Sequence, residues 1–267
     1  MEIEPRNGAH SQSLERGLLI LSSFRSGSPL LGVSDLAREV GLSRSTTHRY
    51  ISTLAALGYL QQDPLTRKYR LGPRVLDLGF SAINSMDLRE VASPHLQELS
   101  DETGHTVNMA VLDGADIVYI ERCRTSQRGQ RDIDLNLHIG SRLPAYCTSM
   151  GKVLLANLDA AEQRAALKQV LFVQRGPNTL TGRDELVAEL ERVRESGLAV
   201  NNEELAYGLR SIATPVHAQG GEVVAAINLA VHRTMVSLDA LVAHLGPPLR
   251  RTAAEISARI GSGHVQA

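Results

Sequence analysis

The segment PAYCTSMGK, Pro144–Lys152, sets a thiol, two hydroxyls, a glycine and a lysine in one short run. Two nucleophile or phosphate chemistries lie close to it, and neither is complete. A nucleophile elbow needs Gly-x-Ser-x-Gly, and Cys147 stands where the first glycine belongs. A phosphate loop needs a glycine five residues before Gly151 and a hydroxyl after Lys152; Tyr146 and Val153 occupy those positions. Cys147 as a thiol nucleophile would need a basic partner supplied by the fold. No catalytic residue is assigned. A small-molecule hydrolase using Ser149 or Cys147 stands as an alternative, to be discriminated by turnover of a small ester or amide. The segment suits binding better. Thr148 or Ser149 can cap a helix running through Met150 and Gly151, whose first N–H groups suit a small anion.

A second surface with chemistry is SRSTTHRYISTL, Ser43–Leu54. Read as a helix, it turns Thr47, Tyr50, Ile51 and Leu54 to one side at the i, i+3, i+4, i+7 spacing of a buried stripe. The opposite side carries Ser45, Arg49 and Ser52, flanked by His48, with Arg44 at the start. Arginines and short hydroxyls without an acid among them make an unusual solvent face. Farther on, Asn201 and Ser211 fall near strand ends, and Asn228 interrupts the apolar strand AAINLA. Such recurring polar interruptions favour a pocket lining. Glu203 and Glu204, adjacent in sequence, read as a solvated turn. The nine histidines show no metal-ligand spacing, so neither metal nor cofactor is expected.

The elements that must position these residues follow from period and punctuation. LERGLLILSSF, Leu14–Phe24, is amphipathic. VSDLAREVG offers Ser34 as N-cap of a short helix with Leu36, Ala37 and Val40 inward and Gly41 closing it. Ser43 caps the next helix, which completes a helix-turn-helix. YLQQDPLTRKYRLG then alternates as a hairpin with Arg67, Lys68 and Arg70 on or beside its second strand. A helix-turn-helix followed by a basic hairpin is a winged helix. PRVLDLGFSAINSM reads as a connecting helix. LREVASPHLQELSDETG is a second one, in which Pro94 marks a kink or a fresh start. TVNMAVL and DIVYIER form a hairpin around DGA, and DIDLNLHI alternates again. Helices follow near 149–158, 160–170 and in DELVAELERVRESG, then strands LAVN, RSIATPV and EVVAAINLAV, and a terminal helix from Ser237. Strands interrupted by helices on one side predict an α+β domain with a largely antiparallel sheet.

The net charge of −1 conceals an asymmetry: Met1–Val75 holds 10 Lys and Arg against 6 Asp and Glu, leaving 18 against 23 in the remainder. A basic first third suits a polyanion. With 43% hydrophobic and 21% charged residues the chain has the composition of a globular protein. Its longest apolar run is too short to span a bilayer. Two cysteines, Cys123 and Cys147, are too few for a disulfide framework, and the polar opening residues lack a signal pattern. The expectation is a cytoplasmic protein with no membrane partner.

LERGLLILSSF, DLAREVGLSRSTTHRYISTLAALGYL, YRLGPRVLDLG, GSRLPAYCTSMGKVLLA and GLRSIATPV, in this order and spacing, resemble the IclR family of bacterial transcriptional regulators from about Ser13 to Ile260. RLPAYCTSMG and EELAYGLRSIA look most like the branch that controls aromatic acid breakdown through protocatechuate and β-ketoadipate. The resemblance implies a winged helix-turn-helix over 10–72, a linker helix over 73–86, and a GAF-like α/β effector-binding domain over 87–262. It also implies operator DNA and a small carboxylate effector as partners, in a homodimer or a tetramer built from two dimers. DNA contacts are then expected from Ser34, Ser43, Arg44, Ser45, Thr46, His48, Arg49 and Ser52, with Arg67, Lys68 and Arg70 on the wing. Effector contacts are expected from Thr148, Ser149, Met150, Gly151, Asn201, Leu209, Ser211 and Asn228. Ser149 and Met150 stand where relatives with very small keto-acid effectors carry small residues, so that ligand class does not transfer automatically to this chain. RTSQRGQRD, Arg124–Asp132, has no counterpart in the family; Arg128 or Arg131 is solvated or faces the ligand. A GAF-like signalling module that never touches DNA is the other alternative, and salt-dependent DNA binding discriminates it.

Overall fold

In the computed structural model, which describes residues 11–24, 29–84, 87–124 and 136–262, helix α1 (Gln12–Ser22) starts at Ser11, whose hydroxyl accepts from the Leu14 N–H. Helix α2 (Val33–Glu39) follows. Its N-cap is Gly32 rather than the expected Ser34, which is exposed inside the first turn. Asp35 supplies the half of a capping box that needs no N-cap side chain: its carboxylate accepts from the Gly32 N–H at 3.1 Å. Gly41 at φ +66° makes the tight turn. Ser43 then caps α3 (Arg44–Ala56) by accepting from the Thr46 N–H at 3.2 Å. Strands β1 (Leu60–Gln62) and β2 (Tyr69–Leu71) pair antiparallel, with Leu31 bridging Tyr69 from the far side. Ile20, Leu36, Ile51, Leu60 and Tyr69 form the core of this winged helix. The α2–α3 angle and the wing are therefore fixed by one small apolar cluster. Helix α4 (Arg74–Asn84) closes the first compact unit, Met1–Ser85.

The second unit, Met86–Ala267, begins with α5 (Asp87–Thr103), which runs unbroken through Pro94. Strands β3 (Thr106–Asp113) and β4 (Asp116–Cys123) form the expected hairpin, with Gly114 at φ +63° in its turn. Of the segment DIDLNLHI, 132–135 lie outside the described residues, as do Arg128 and Arg131, and Asn136–His138 are not a strand. The next strand is instead β5 (Arg142–Pro144), followed by a 3-10 turn (Ala145–Cys147). Then come α6 (Ser149–Ala156), α7 (Ala160–Gln169), α8 (Arg183–Ser196), β6 (Ala199–Asn202), β7 (Leu209–His217), β8 (Val223–His232), α9 (Leu238–Ala240), a π turn and α10 (Gly246–Ser262).

The six strands are antiparallel throughout, in the order β5-β4-β3-β8-β7-β6. Helices cover both faces, not one as the sequence suggested. Val153, Leu186 and Leu190 of α6 and α8 pack with Ala213 and Ala226 on one side. Leu96, Leu249 and Ile256 of α5 and α10 pack with Val107, Ile227 and Leu229 on the other. The near-continuous apolar run of β8 is the mark of a strand buried on both faces. Alternation then decides which residues face α6: Asn108, Asn201, Ser211 and Asn228 all do, interleaved with the residues of the other core. No helix among the described residues is long and apolar enough to cross a membrane.

Candidate functional sites

On α3 the buried side is Thr47 and Ile51, with Tyr50 and Leu54 half-buried; Arg44, Ser45, His48, Arg49 and Ser52 are exposed. Thr47 is satisfied by donating to the Ser43 carbonyl at 3.0 Å, which lets a hydroxyl sit in the core. Ser43 and Thr46 bond each other at 2.8 Å, so their oxygens lie low on the helix start. Arg44 and Arg49 make no side-chain hydrogen bond or ion pair among the described residues, and neither do Arg67 and Lys68. Arg70 differs, because its guanidinium lies across the wing on Gln61 Oε1 at 3.0 and 3.2 Å. The wing tip is closed by its own hydrogen bonds. Asp63 accepts from the Thr66 N–H at 2.7 Å and from the Leu65 N–H at 3.1 Å, and these bonds hold its carboxyl below the usual carboxylate range. Arg67 takes φ +59°, turning the chain into β2.

In the second unit a cavity opens on the α6 face of the sheet, lined by Thr148, Asn201, Leu209, Ser211 and Asn228 among the expected residues. Thr148 caps α6 by accepting from the Gly151 N–H at 3.1 Å, so the positive end of the α6 dipole sits at the cavity wall. Ser149 is fully buried one layer behind, its hydroxyl 2.7 Å from that of Ser211. Met150 belongs to the core. Gly151 is a packing residue: a Cβ there would stand 2.2 Å from the Ala145 carbonyl oxygen. Asn201 is occupied as a brace, donating to the Cys147 carbonyl at 2.6 Å and accepting from the Glu204 N–H at 3.1 Å.

Sequence reasoning missed Asn108 and Arg122, which also line the cavity. Asn108 carried the same signal as Asn228, a lone amide in an apolar strand. Arg122 had no signal of its own, because only the β3–β4 register sets it opposite Asn108. Glu203 and Glu204 are not a solvated turn. Glu203 is 5% exposed, with φ +60°. It accepts from the Gly208 N–H at 2.7 Å and pairs with Arg233 at 3.2 Å, which keeps its carboxyl below the usual range. Glu204 turns inward to Lys152, Nζ to Oε1 2.7 Å. Burial raises the Glu204 carboxyl while the Lys152 ammonium pulls it back. The lysine of the near-miss phosphate loop is thus a core ion-pair partner. Cys147 is fully buried, its thiol pushed up to about 11 by burial, the opposite of an activated nucleophile.

A winged helix-turn-helix followed by an α/β unit with a polar-lined cavity is the architecture of a DNA-binding regulator that carries its own ligand domain. A model of the IclR helix-turn-helix domain matches residues 13–64, and one of the bacterial transcriptional regulator IclR C-terminal domain matches residues 80–258. The chain belongs to the IclR family of bacterial transcriptional regulators. It is 39% identical to the Pca regulon regulatory protein of Pseudomonas putida over 82% of this chain and 74% of that one. It is 36% identical to the HTH-type transcriptional regulator XynR of Escherichia coli over 94% and 97%. A solved regulator structure from Rhodococcus sp. RHA1 shares the fold with TM-score 0.79 and 40% identity, covering 94% of this chain and 98% of that one. These families and relatives are regulators of transcription, not enzymes.

Proposed function

We propose that the outward face of α3 reads an operator while the wing fixes its position. We further propose that a small carboxylate from aromatic acid catabolism, through protocatechuate and β-ketoadipate, binds in the cavity beside α6 and changes DNA affinity. The observation that carries the reading is the exposed Arg44 and Arg49 on a helix whose buried stripe and cap are both complete, so no ion pair among the described residues neutralises them. Arginine on a groove-entering helix reads guanine edges bidentately, and short Ser45 and Ser52 let the backbone approach. Exposed Arg67 and Lys68 suit phosphates, and Arg70 stiffens the wing. The pathway rests on RLPAYCTSMG and EELAYGLRSIA and on kinship with the Pca regulator.

Two substitutions separate base reading from phosphate contact. Arg49→Ala is expected to weaken operator binding by roughly 1–3 kcal/mol with little change on scrambled DNA. Lys68→Ala is expected to weaken both alike and to lower the salt slope by about one ion. Titrations on both DNAs across a salt series check this; an unchanged slope removes Lys68 from the interface.

For the ligand, protocatechuate or 4-hydroxybenzoate is expected to raise the melting temperature, because a ligand bound only by the folded state stabilises it. Ser211→Leu fills the cavity wall and is expected to abolish that shift while ligand-free DNA binding persists. A folded Ser211→Leu protein that keeps the full shift would place the ligand elsewhere.

A further inference from the structure

We propose that Arg122 anchors the carboxylate of the ligand and, acting through Asn108, fixes Asn228 as a hydrogen-bond donor toward the cavity. This inference rests on the ligand reading above and adds a residue and a selectivity to it. Arg122, Asn108 and Asn228 are direct cross-strand partners on β4, β3 and β8, so their side chains share the face that looks toward α6. A guanidinium has donors and no acceptor. Arg122 Nη1 donates to Asn108 Oδ1 at 2.9 Å, which leaves Asn108 only its amide nitrogen for the other side. That nitrogen donates to Asn228 Oδ1 at 2.8 Å. Asn228 Oδ1 is thereby turned toward Asn108, and its Nδ2 donates to no protein group among the described residues. The arginine thus gives the chain of amides a single direction, ending in an N–H at the cavity wall.

The site is built rather than superficial. Asn108 is 1% and Asn228 5% exposed, and both line the cavity with Arg122. A donor aimed into a largely enclosed cavity favours an acceptor that enters and meets it. A cation beside a directed N–H selects an anionic oxygen pair over a neutral acceptor. Ser211, whose hydroxyl meets that of Ser149 on α6, lies on β7, two strand spacings from Asn108, roughly 10 Å at ordinary sheet geometry. A ligand with a carboxylate at one end and a hydroxyl or second carboxylate across a ring or a short chain spans that distance.

The test uses the purified full chain and calorimetric titration with 4-hydroxybenzoate, protocatechuate and adipate, each beside a neutral amide, 4-hydroxybenzamide for the first. Wild type is expected to bind a carboxylate probe and to prefer it to its amide. Arg122→Met is expected to weaken the carboxylate by roughly 10- to 100-fold, the worth of a charged hydrogen bond, while the amide changes little. Asn228→Asp keeps the shape and the acceptor for Asn108 but turns the donor into an anion. It is expected to lose the carboxylate and keep the amide, and it serves alone if Arg122→Met does not fold. Equal losses for acid and amide would reduce Arg122 to a prop for the cavity wall and overturn the proposal. Wild-type affinity in both variants would overturn it too, with the ligand reading intact. Wild type that binds no carboxylate overturns the ligand reading and the anchor together.

Discussion

Lys152→Met is expected to destabilise the protein by about 3–5 kcal/mol near neutral pH, as removing one partner of a buried ion pair does. The Lys152 side chain is 1% exposed, and its ammonium donates to Glu204 Oε1 at 2.7 Å, to Glu189 Oε1 at 3.2 Å and to the Val200 carbonyl at 2.6 Å. Methionine fills the volume and meets none of the three. Glu189 has Arg192 as a second partner at 2.8 Å. Among the described residues Glu204 pairs with Lys152 alone, and its Oε2 is buried without a hydrogen bond, so the loss falls chiefly there. This gives the defect a pH signature. Glu204 holds its proton more tightly in the folded state than unfolded, because burial outweighs Lys152. Stability therefore falls as pH rises from the unfolded value toward the folded one, and is flat above. Without Lys152 the folded value climbs further. The deficit of Lys152→Met is thus expected to be smaller at about pH 5 than at about pH 8, where Glu204 must ionise unpaired or stay protonated at a cost. Urea unfolding at the two pH values measures it. Adding Glu204→Gln should recover part of the loss at the higher pH; equal deficits and no recovery would absolve Glu204.

Gly151→Ala is expected to cost about 3 kcal/mol, at the upper end of overpacking effects. The added Cβ would stand 2.2 Å from the Ala145 carbonyl oxygen, 2.3 Å from its Cα and 2.5 Å from Thr148 Oγ1. Two of those atoms are backbone, so α6 itself must retreat from the 3-10 turn. Thr148, which caps α6 and lines the cavity, moves with it, and the ligand-induced thermal shift should fall along with the stability. Gly79→Ala is the control. That position lies in α4 with nothing within 4 Å of the new Cβ, and alanine there should stabilise the helix by up to about 1 kcal/mol. Thermal melts of both variants decide it; a Gly151→Ala protein as stable as wild type would mean the turn gives way freely.

The first unit was largely legible because its decisions are local. The stripe through Thr47 and Ile51, the cap at Ser43 and the glycine turn at Gly41 follow from spacing within a few residues, and only the Ser34 cap was misplaced. Ser34 and Gly32 are two residues apart, and the Asp35 carboxylate, by accepting from the Gly32 N–H, ties the helix start at Gly32. The second unit was legible in its elements and less so in its layers. β8 reads as apolar nearly throughout, and such a run does not say whether one or two helical layers cover the sheet. β5 is a three-residue strand, too short for alternation to be seen.

The sequence by itself determined that a basic helix face, a basic wing and a polar-interrupted antiparallel sheet exist, since each depends on the order of side chains along one element. It also placed Thr148, Ser211 and Asn228 as lone polar groups among apolar neighbours. Only the tertiary structure decided what those groups meet. Strand register set Arg122 against Asn108 and Asn108 against Asn228, 120 residues farther along the chain. Packing of α6 against α8 and the loop after β6 turned Lys152 from a phosphate-loop near miss into the partner of Glu204. Burial, a property of the whole domain, left Cys147 an inert thiol, and close contact with Ala145 made Gly151 a packing glycine. Pairings across strands and between layers are not written in local spacing, because each is chosen by the joint minimum of a sheet and two cores.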